Sequence, residues 1–440
     1  MTNDASARRA DDVPLLRAVT RPLAELPELL DYADPTAPLF FNRAGRGCVG
    51  VDEALRLVFR GPGRFADASR AWQRISERAE IDDPVRMPGS GLVALGAFAF
   101  ADDSAADSVI IVPRLLINRH DEQAWVTEVT VVADPPGDDD DAAVDRTALE
   151  EPRLPEAVPL GAWPGAVLGP PEGSVEAFLA DVREAVLRVE AGEVAKVVLS
   201  RRLAGSFDAD AELRVPLGRL SERYLDCWTF AVDGLVGASP ETLVCSVGGA
   251  VTARVLAGTR GRFPADAAQD IAARDELIRS EKDQYEHDLA VRSVTSTLTP
   301  HVRELRMSDE PFALQLPNVW HLATDLAATL GDGATSLELV DALHPTAAVA
   351  GTPAAESVAM IAELEGFDRG RYGGAVGWID AVGDGEWVVA LRCAQLGLDA
   401  DGRRSIVAGA GGGIVAGSDP EHELSETVSK FRPITEAFAA

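Results

Sequence analysis

Cysteine is scarce. Cys48, Cys227, Cys245 and Cys393 are the only four in 440 residues, and no two stand in a CxxC or other metal-ligand spacing. They read as small buried hydrophobes in a reducing compartment rather than as a disulfide framework. Positive charge is short as well: 41 Lys and Arg face 71 Asp and Glu, a formal net charge of -30. Such a surface repels nucleic acid and anionic membrane, so neither is expected as a partner. The acidity says nothing about fold and is read as a solubility feature. No apolar run approaches the roughly 20 residues that span a bilayer. The opening MTNDASARRADD lacks the apolar stretch of a secretory signal, and a cytoplasmic location is expected. No internal repeat is visible. Neither a GxGxxG opening a crossover helix nor a GxxxxGK[ST] loop occurs, so dinucleotide and P-loop chemistry are not indicated.

What is present is an ordinary enzyme composition, 46% hydrophobic and 25% charged, in a chain long enough to bury one very large core or several smaller ones. GLVALGAFAF (91–100), SVIIVPRLLI (108–117) and AWVTEVTVV (124–132) read as strands. The cluster ADPPGDDDDAAVD then reads as an exposed loop; its four adjacent aspartates are expected to be solvated rather than to converge on a metal. Val175, Phe178, Leu179, Val182, Val186 and Val189 recur at helical spacing, with Ser174 placed to cap and Ala191-Gly192 to end the helix. KVVLSRRL, CWTFAVDG and ETLVCSVGGAVTARVLAG read as strands, the last two arms joined by a hairpin turn at Gly248-Gly249. The stretch 273–298 predicts one long helix. A second is expected from Asp419, with Pro420 in its first turn and a kink at Pro433. Strands and helices mix without a βαβ period, which predicts an α+β fold.

Two helices carry carboxylates three residues apart on one face: Asp283 with Glu286, and Glu423 with Glu426, followed one turn later by Lys430. Either pair alone is more simply a solvated face. Together they could bring four carboxylates onto one hard cation, and an all-oxygen donor set suits Mg²⁺. AGAGGGIVAGSDP and LAGTRGR each read equally as a tight turn or as backbone opened to an anionic ligand. Arg392, at alternating spacing in the core-like strand WVVALRCAQL, needs an anion, either a structural carboxylate or a substrate. Lys196 opens an apolar strand, where the plain reading is a side chain reaching back to water.

These segments, with GASPETL, VWHLATDL, LHPTAAVAGTP and FDRGRYGGAVGW, stand in an order that resembles the chorismate-utilising enzymes over roughly residues 90 to 440. That family includes anthranilate, aminodeoxychorismate, salicylate and isochorismate synthases. The resemblance implies one chorismate-binding domain over 1–440, with two stacked, largely antiparallel sheets flanked by helices around a deep cleft. Residues 1–90 would be a divergent part, 91–133 strands, 134–173 an exposed acidic and Pro-rich linker, and 174–440 the catalytic core. It also implies Glu286 and Glu426 as principal Mg²⁺ ligands, supported by Asp283 and Glu423. Arg392 and Tyr372 would bind the enolpyruvyl carboxylate, Lys430, Gly258, Thr259, Gly411 and Gly413 would make other substrate contacts, and His321 would position the ring. Lys196 would be general base and Glu241 general acid. Anthranilate synthases typically carry Gln in place of Lys196, and salicylate synthases tend to carry Thr in place of Ala348, so the isochorismate synthases are the branch most resembled. No glutaminase subunit is then expected. Salicylate synthase, an aminodeoxychorismate-type enzyme and a non-catalytic chorismate-binding paralogue are the competing readings. Gly412 departs from the family's usual Ala and is expected to loosen a glycine-rich loop.

Overall fold

The computed structural model describes residues 14–132 and 152–440, so the polar N-terminus and the aspartate run lie outside the described residues. In chain order the strands are β1 (Leu15–Pro22), β2 (Leu39–Arg43), β3 (Arg46–Phe59), β4 (Glu80–Asp82), β5 (Val93–Ala97), β6 (Ser108–His120), β7 (Gln123–Val132), β8 (Lys196–Phe207), β9 (Trp228–Val232), β10 (Leu235–Ser239), β11 (Thr242–Val247), β12 (Ala250–Gly261), β13 (Val302–Met307), β14 (Phe312–Gln315), β15 (Val319–Leu330), β16 (Gly351–Thr352), β17 (Ala375–Asp380), β18 (Gly385–Val389), β19 (Cys393–Leu398) and β20 (Arg404–Ile414). The helices are α1 (Arg64–Arg78), α2 (Ser174–Glu190), α3 (Arg214–Arg223), α4 (Ala267–Arg279), α5 (Glu281–Leu298), α6 (Ser336–Leu343), α7 (Ala354–Leu364) and α8 (Pro420–Ala437).

The fold is α+β, and its sheet is antiparallel except where β4 lies parallel to β1. The two layers expected from the sequence are two arms of one hydrogen-bonded network that share the long strand β6. One edge of β6 pairs with β3, and from there the ladder runs β2, β9, β10, β19, β20, β8. Its other edge is divided between β7 and β5, and from β5 the ladder runs β17, β18, β11, β12, β15.

Period-two side-chain alternation decides what each face buries. Phe41, Val93, Leu95, Ala97, Val109 and Ile111 point into an apolar layer between the arms. Their neighbours Phe40, Ala94 and Ile110 point outward under helices, α3 and α8 on one side and α1, α2, α5, α6 and α7 on the other.

Residues 14–90 are woven into this frame: β1 pairs with β7, β3 with β6, and β2 with β9. The described end of the acidic linker is mostly exposed yet tied down. Glu212 accepts from Gly161 N at 2.9 Å, Arg214 donates to the carbonyls of Val158 and Pro159, and Trp163 packs edge-on against Phe207 and Phe438. Among the described residues no helix is long and apolar enough to cross a membrane.

Several local expectations are corrected. The long helix predicted over 273–298 is two helices broken at Ser280, whose extended backbone stops α4 and whose hydroxyl accepts from Asp283 N to cap α5. Residue 174 is not the cap of α2. Gly173, in the left-handed region, takes that position, and the Ser174 hydroxyl donates to Pro171 O. Helix α8 continues through Pro433 to Ala437. The hairpin at Gly248-Gly249 forms as expected, both residues having positive φ. Because Ser280 sets the start of the helix that carries Asp283 and Glu286, Ser280→Ala should cost about 1 kcal/mol, typical of a lost N-cap. A urea midpoint unchanged from wild type would remove that role.

Candidate active site

A cavity of about 590 Å³, its open mouth included, lies where β8, β20, β12 and β15 meet α5 and α8. Glu241, Gly258, Thr259, Glu286, His321, Ala348, Tyr372, Arg392, Gly411, Gly413, Glu426 and Lys430 all line it. Lys196, Asp283 and Glu423 stand just behind that wall; Lys196 is fully buried, with Nζ 3.0 Å from Glu286 Oε1.

Backbone geometry explains two of the close approaches. Gly258 has φ +79° at a bulge in β12 opposite His321 and Leu322, and a Cβ there would sit 3.1 Å from the Asp283 Cβ. A Cβ on Gly413 would lie 2.1 Å from Glu286 Oε1 and 2.7 Å from Lys196 Cε. Glycines 411–413 are therefore not a loop, as the sequence reading had them, but the bare last residues of strand β20, paired with Ser200, Leu199 and Val198. Arg392 is likewise corrected. It lies in the link between β18 and β19 with φ +49°, a conformation uncommon for a non-glycine residue and one that turns its side chain into the cavity wall.

Arg392 Nη2 donates to His321 Nε2 at 2.9 Å. A guanidinium only donates, so Nε2 must be the unprotonated nitrogen and Nδ1 must carry the hydrogen. Gly258 O, 3.2 Å from Nδ1, accepts it, with Thr259 Oγ1 at 3.1 Å. Burial, reinforced by Arg392 and Lys430, holds His321 well below the usual histidine range, so the ring is neutral. Burial also lowers the Arg392 pKa from its ordinary value. Glu241, deeply buried, is pushed up to about 8 by desolvation, against the pull of Lys196, Arg392 and Lys430. At neutral pH it keeps its proton.

Each of the four helix carboxylates is paired with a cation of the chain. Glu286 meets Lys196; Glu426 meets Lys430 at 2.5 Å; Glu423 meets Lys282 at 2.8 Å; Asp283 meets Arg260 at 2.9 Å. Among the described residues no three His, Cys, Asp or Glu side chains form a ready metal-ligand group. The oxygens of Glu286, Glu423 and Glu426 nevertheless meet over the same bare strand. A Cβ on Gly412 would be 3.0 Å from Glu423 Oε2 and 3.4 Å from Glu426 Oε1, next to the Glu286 contact of Gly413. Burial and the charge of Glu426 raise the Glu423 pKa; at Glu426 burial also pushes upward, but Lys430, Lys282 and His422 together outweigh it and hold the carboxyl low. Crowded, partly desolvated, all-oxygen groups of this kind fit a hard divalent cation, which would replace lysine partners rather than fill a preformed cage.

The sequence reading missed the partners. Lys282 and Arg260 neutralise two of the carboxylates, and their adjacency to Asp283 and Thr259 in sequence was a usable signal. Arg369 also lines the cavity; it is buried, paired with Glu365, and donates to Val198 O and Val349 O. Nothing in the spacing of FDRGRYGG distinguishes it from an exposed arginine.

A cavity that gathers buried cations, a neutral histidine and a protonated carboxyl between two antiparallel arms defines an enzyme for a small polyanionic substrate. The profile of the family described as chorismate binding enzyme matches residues 21–439, and the chain belongs to that family. It is 33% identical over 402 residues, 88% of this chain and 82% of the other, to the salicylate biosynthesis isochorismate synthase of Pseudomonas aeruginosa. To the isochorismate synthase DhbC of Bacillus subtilis it is 38% identical over 268 residues, 58% of this chain and 66% of that protein. The fold is shared with MenF, the menaquinone-specific isochorismate synthase of Escherichia coli, at a TM-score of 0.74 and 24% identity, covering 96% of this chain and 95% of that one.

Proposed function

We propose that the protein is an isochorismate synthase, converting chorismate to isochorismate by adding water at C2 and expelling the C4 hydroxyl. The observation that carries this reading is a carboxyl on the cavity wall that keeps its proton at neutral pH, with a fully buried lysine directly behind the same wall at Glu286. Hydroxide is a poor leaving group, and Glu241 is poised to protonate it. Lys196 takes the proton from the attacking water. To act as base it must be neutral and released from Glu286, which happens when Glu286 is engaged elsewhere. Arg392 and Lys430 meet the substrate carboxylates, and His321, with its hydrogen fixed on Nδ1, holds Arg392 through Nε2. Glu286, Glu426, Glu423 and Asp283 would hold Mg²⁺, which when bound neutralises a substrate carboxylate in an otherwise acidic wall. Ala348 on the wall leaves room where a larger side chain would press on the substrate.

Purified protein given chorismate and Mg²⁺ should yield isochorismate by chromatography, and chelator should stop it. Salicylate with pyruvate, or a product that forms only with ammonia, would overturn the assignment. Glu426→Gln should raise the Mg²⁺ concentration needed for half-maximal rate steeply, since a carboxylate oxygen is exchanged for a neutral amide. An unchanged titration would take Glu426 off the ligand set.

A further inference from the structure

A second cleft, about 1280 Å³ including its open mouth, adjoins the active cavity and shares Arg369 and Tyr372 with it as a common wall. The two lie on one face of the β8–β20 ladder. Val198 faces Gly413, Ser200 faces Gly411, and Arg202 faces Gly409 across the strands. Because the period is two, Gly409, Gly411 and Gly413 share a face, and that face is covered by Tyr372 at Gly409 and by Glu286 and Lys196 at Gly413. Tyr372 packs on Gly409, where a Cβ would meet its ring at 2.5 Å, and so stands as the partition between the two spaces.

The charges of the cleft are unevenly satisfied. Asp233 is paired with Arg371 and Arg56, and Asp107 with Arg60. Asp368 accepts from Ser104 Oγ and from the amides of Ala105 and Gly370. Arg202 has no carboxylate partner among the described residues; it is held over the ring of Phe367 at 4.1 Å. Beside it, Ser200 is 4% exposed and its hydroxyl is without a hydrogen-bond partner. A half-buried guanidinium and an unused buried hydroxyl on one strand face are complementary to a carboxylate. On a chain of net charge -30, a cationic group without a carboxylate partner in the cleft beside the active cavity also concentrates an anionic substrate there.

We propose that this cleft is an approach site for the dicarboxylate substrate, in which Arg202 and Ser200 hold one carboxylate until displacement of the Tyr372 ring from Gly409 admits the molecule to the active cavity. The inference rests on the proposed function, which supplies the substrate. Two variants test it with the whole enzyme and chorismate. Arg202→Glu reverses the charge and should lower kcat/KM about tenfold, within the range of electrostatic steering, while kcat stays within about twofold. Arg202→Lys, which keeps the charge, should recover most of the loss. Val407→Trp adds neutral bulk on the same strand face of the cleft and should also lower kcat/KM with little change in kcat. Wild-type kcat/KM in both Arg202→Glu and Val407→Trp would overturn the approach site, as would Arg202→Lys being as impaired as Arg202→Glu. A wild-type protein that does not turn chorismate over removes the proposed function and the approach site together; turnover with unaffected variants removes the approach site alone.

Discussion

Lys196→Ala is expected to slow the conversion of chorismate by about 10²–10⁴-fold, the usual contribution of a positioned general base. The residue is inaccessible to solvent and touches Glu286, so its removal has a second consequence. The Glu286 carboxylate is left buried without its cation, and breaking one partner of a buried pair costs about 3–5 kcal/mol. Magnesium, binding at that carboxylate, should restore part of the lost thermal stability in the variant and do less in the wild type, where lysine must first be displaced. The activity loss and the metal-dependent stabilisation are separate readouts. Near-normal turnover would rule Lys196 out as base. A melting temperature equally indifferent to magnesium in both proteins would detach Glu286 from the metal.

Glu241→Gln is expected to cost a similar factor, about 10²–10⁴-fold, because an amide cannot give up the proton that the departing hydroxyl needs. The wild-type rate should hold below the pKa of this group and fall as pH rises through about 8. Stability has the same sign. The folded-state pKa lies above the ordinary 4.5, so between those values the folded protein retains a proton that the unfolded chain has released. The stabilisation from that proton declines as pH rises through this window and is gone above about 8. Glutamine has no such titration. The variant should therefore lose the alkaline fall in its residual activity and be less sensitive to alkaline unfolding than the wild type. A wild-type alkaline limb that survives unchanged in Glu241→Gln would assign it to another group.

Much of this site was legible in the sequence because chemistry-bearing residues stand in motifs of fixed order. Lys196, Glu241, His321 and Arg392 could be named before any geometry, and most of the named residues share one cavity. Of the carboxylate partners only Lys430, one turn after Glu426 on the same helix, was placed beside its carboxylate by the sequence. Lys282 and Lys430 neutralise glutamates on α8, and Lys282 reaches Glu423 only because α5 and α8 converge over β20. Position along the chain does not encode that convergence. Glycine content was equally ambiguous: GAGGGI reads as a loop until it is seen that a strand passing under three carboxylates can carry no Cβ there. Arg392 reads as a strand residue because its neighbours alternate, whereas its positive φ breaks the strand where the guanidinium must turn toward His321. The fold class followed from mixed strand and helix patterns. That the two layers share β6 did not, since one strand's two edges are a matter of long-range pairing.

The most direct test is the reaction run in ¹⁸O-labelled water with chorismate and Mg²⁺, the product read by mass spectrometry. Base-assisted addition at C2 requires isochorismate to carry one labelled oxygen, in its C2 hydroxyl, and Lys196→Ala should form that labelled product about 10²–10⁴-fold more slowly. Unlabelled isochorismate would mean that the C4 hydroxyl migrates without passing through solvent, and would contradict the roles given to Lys196 and Glu241.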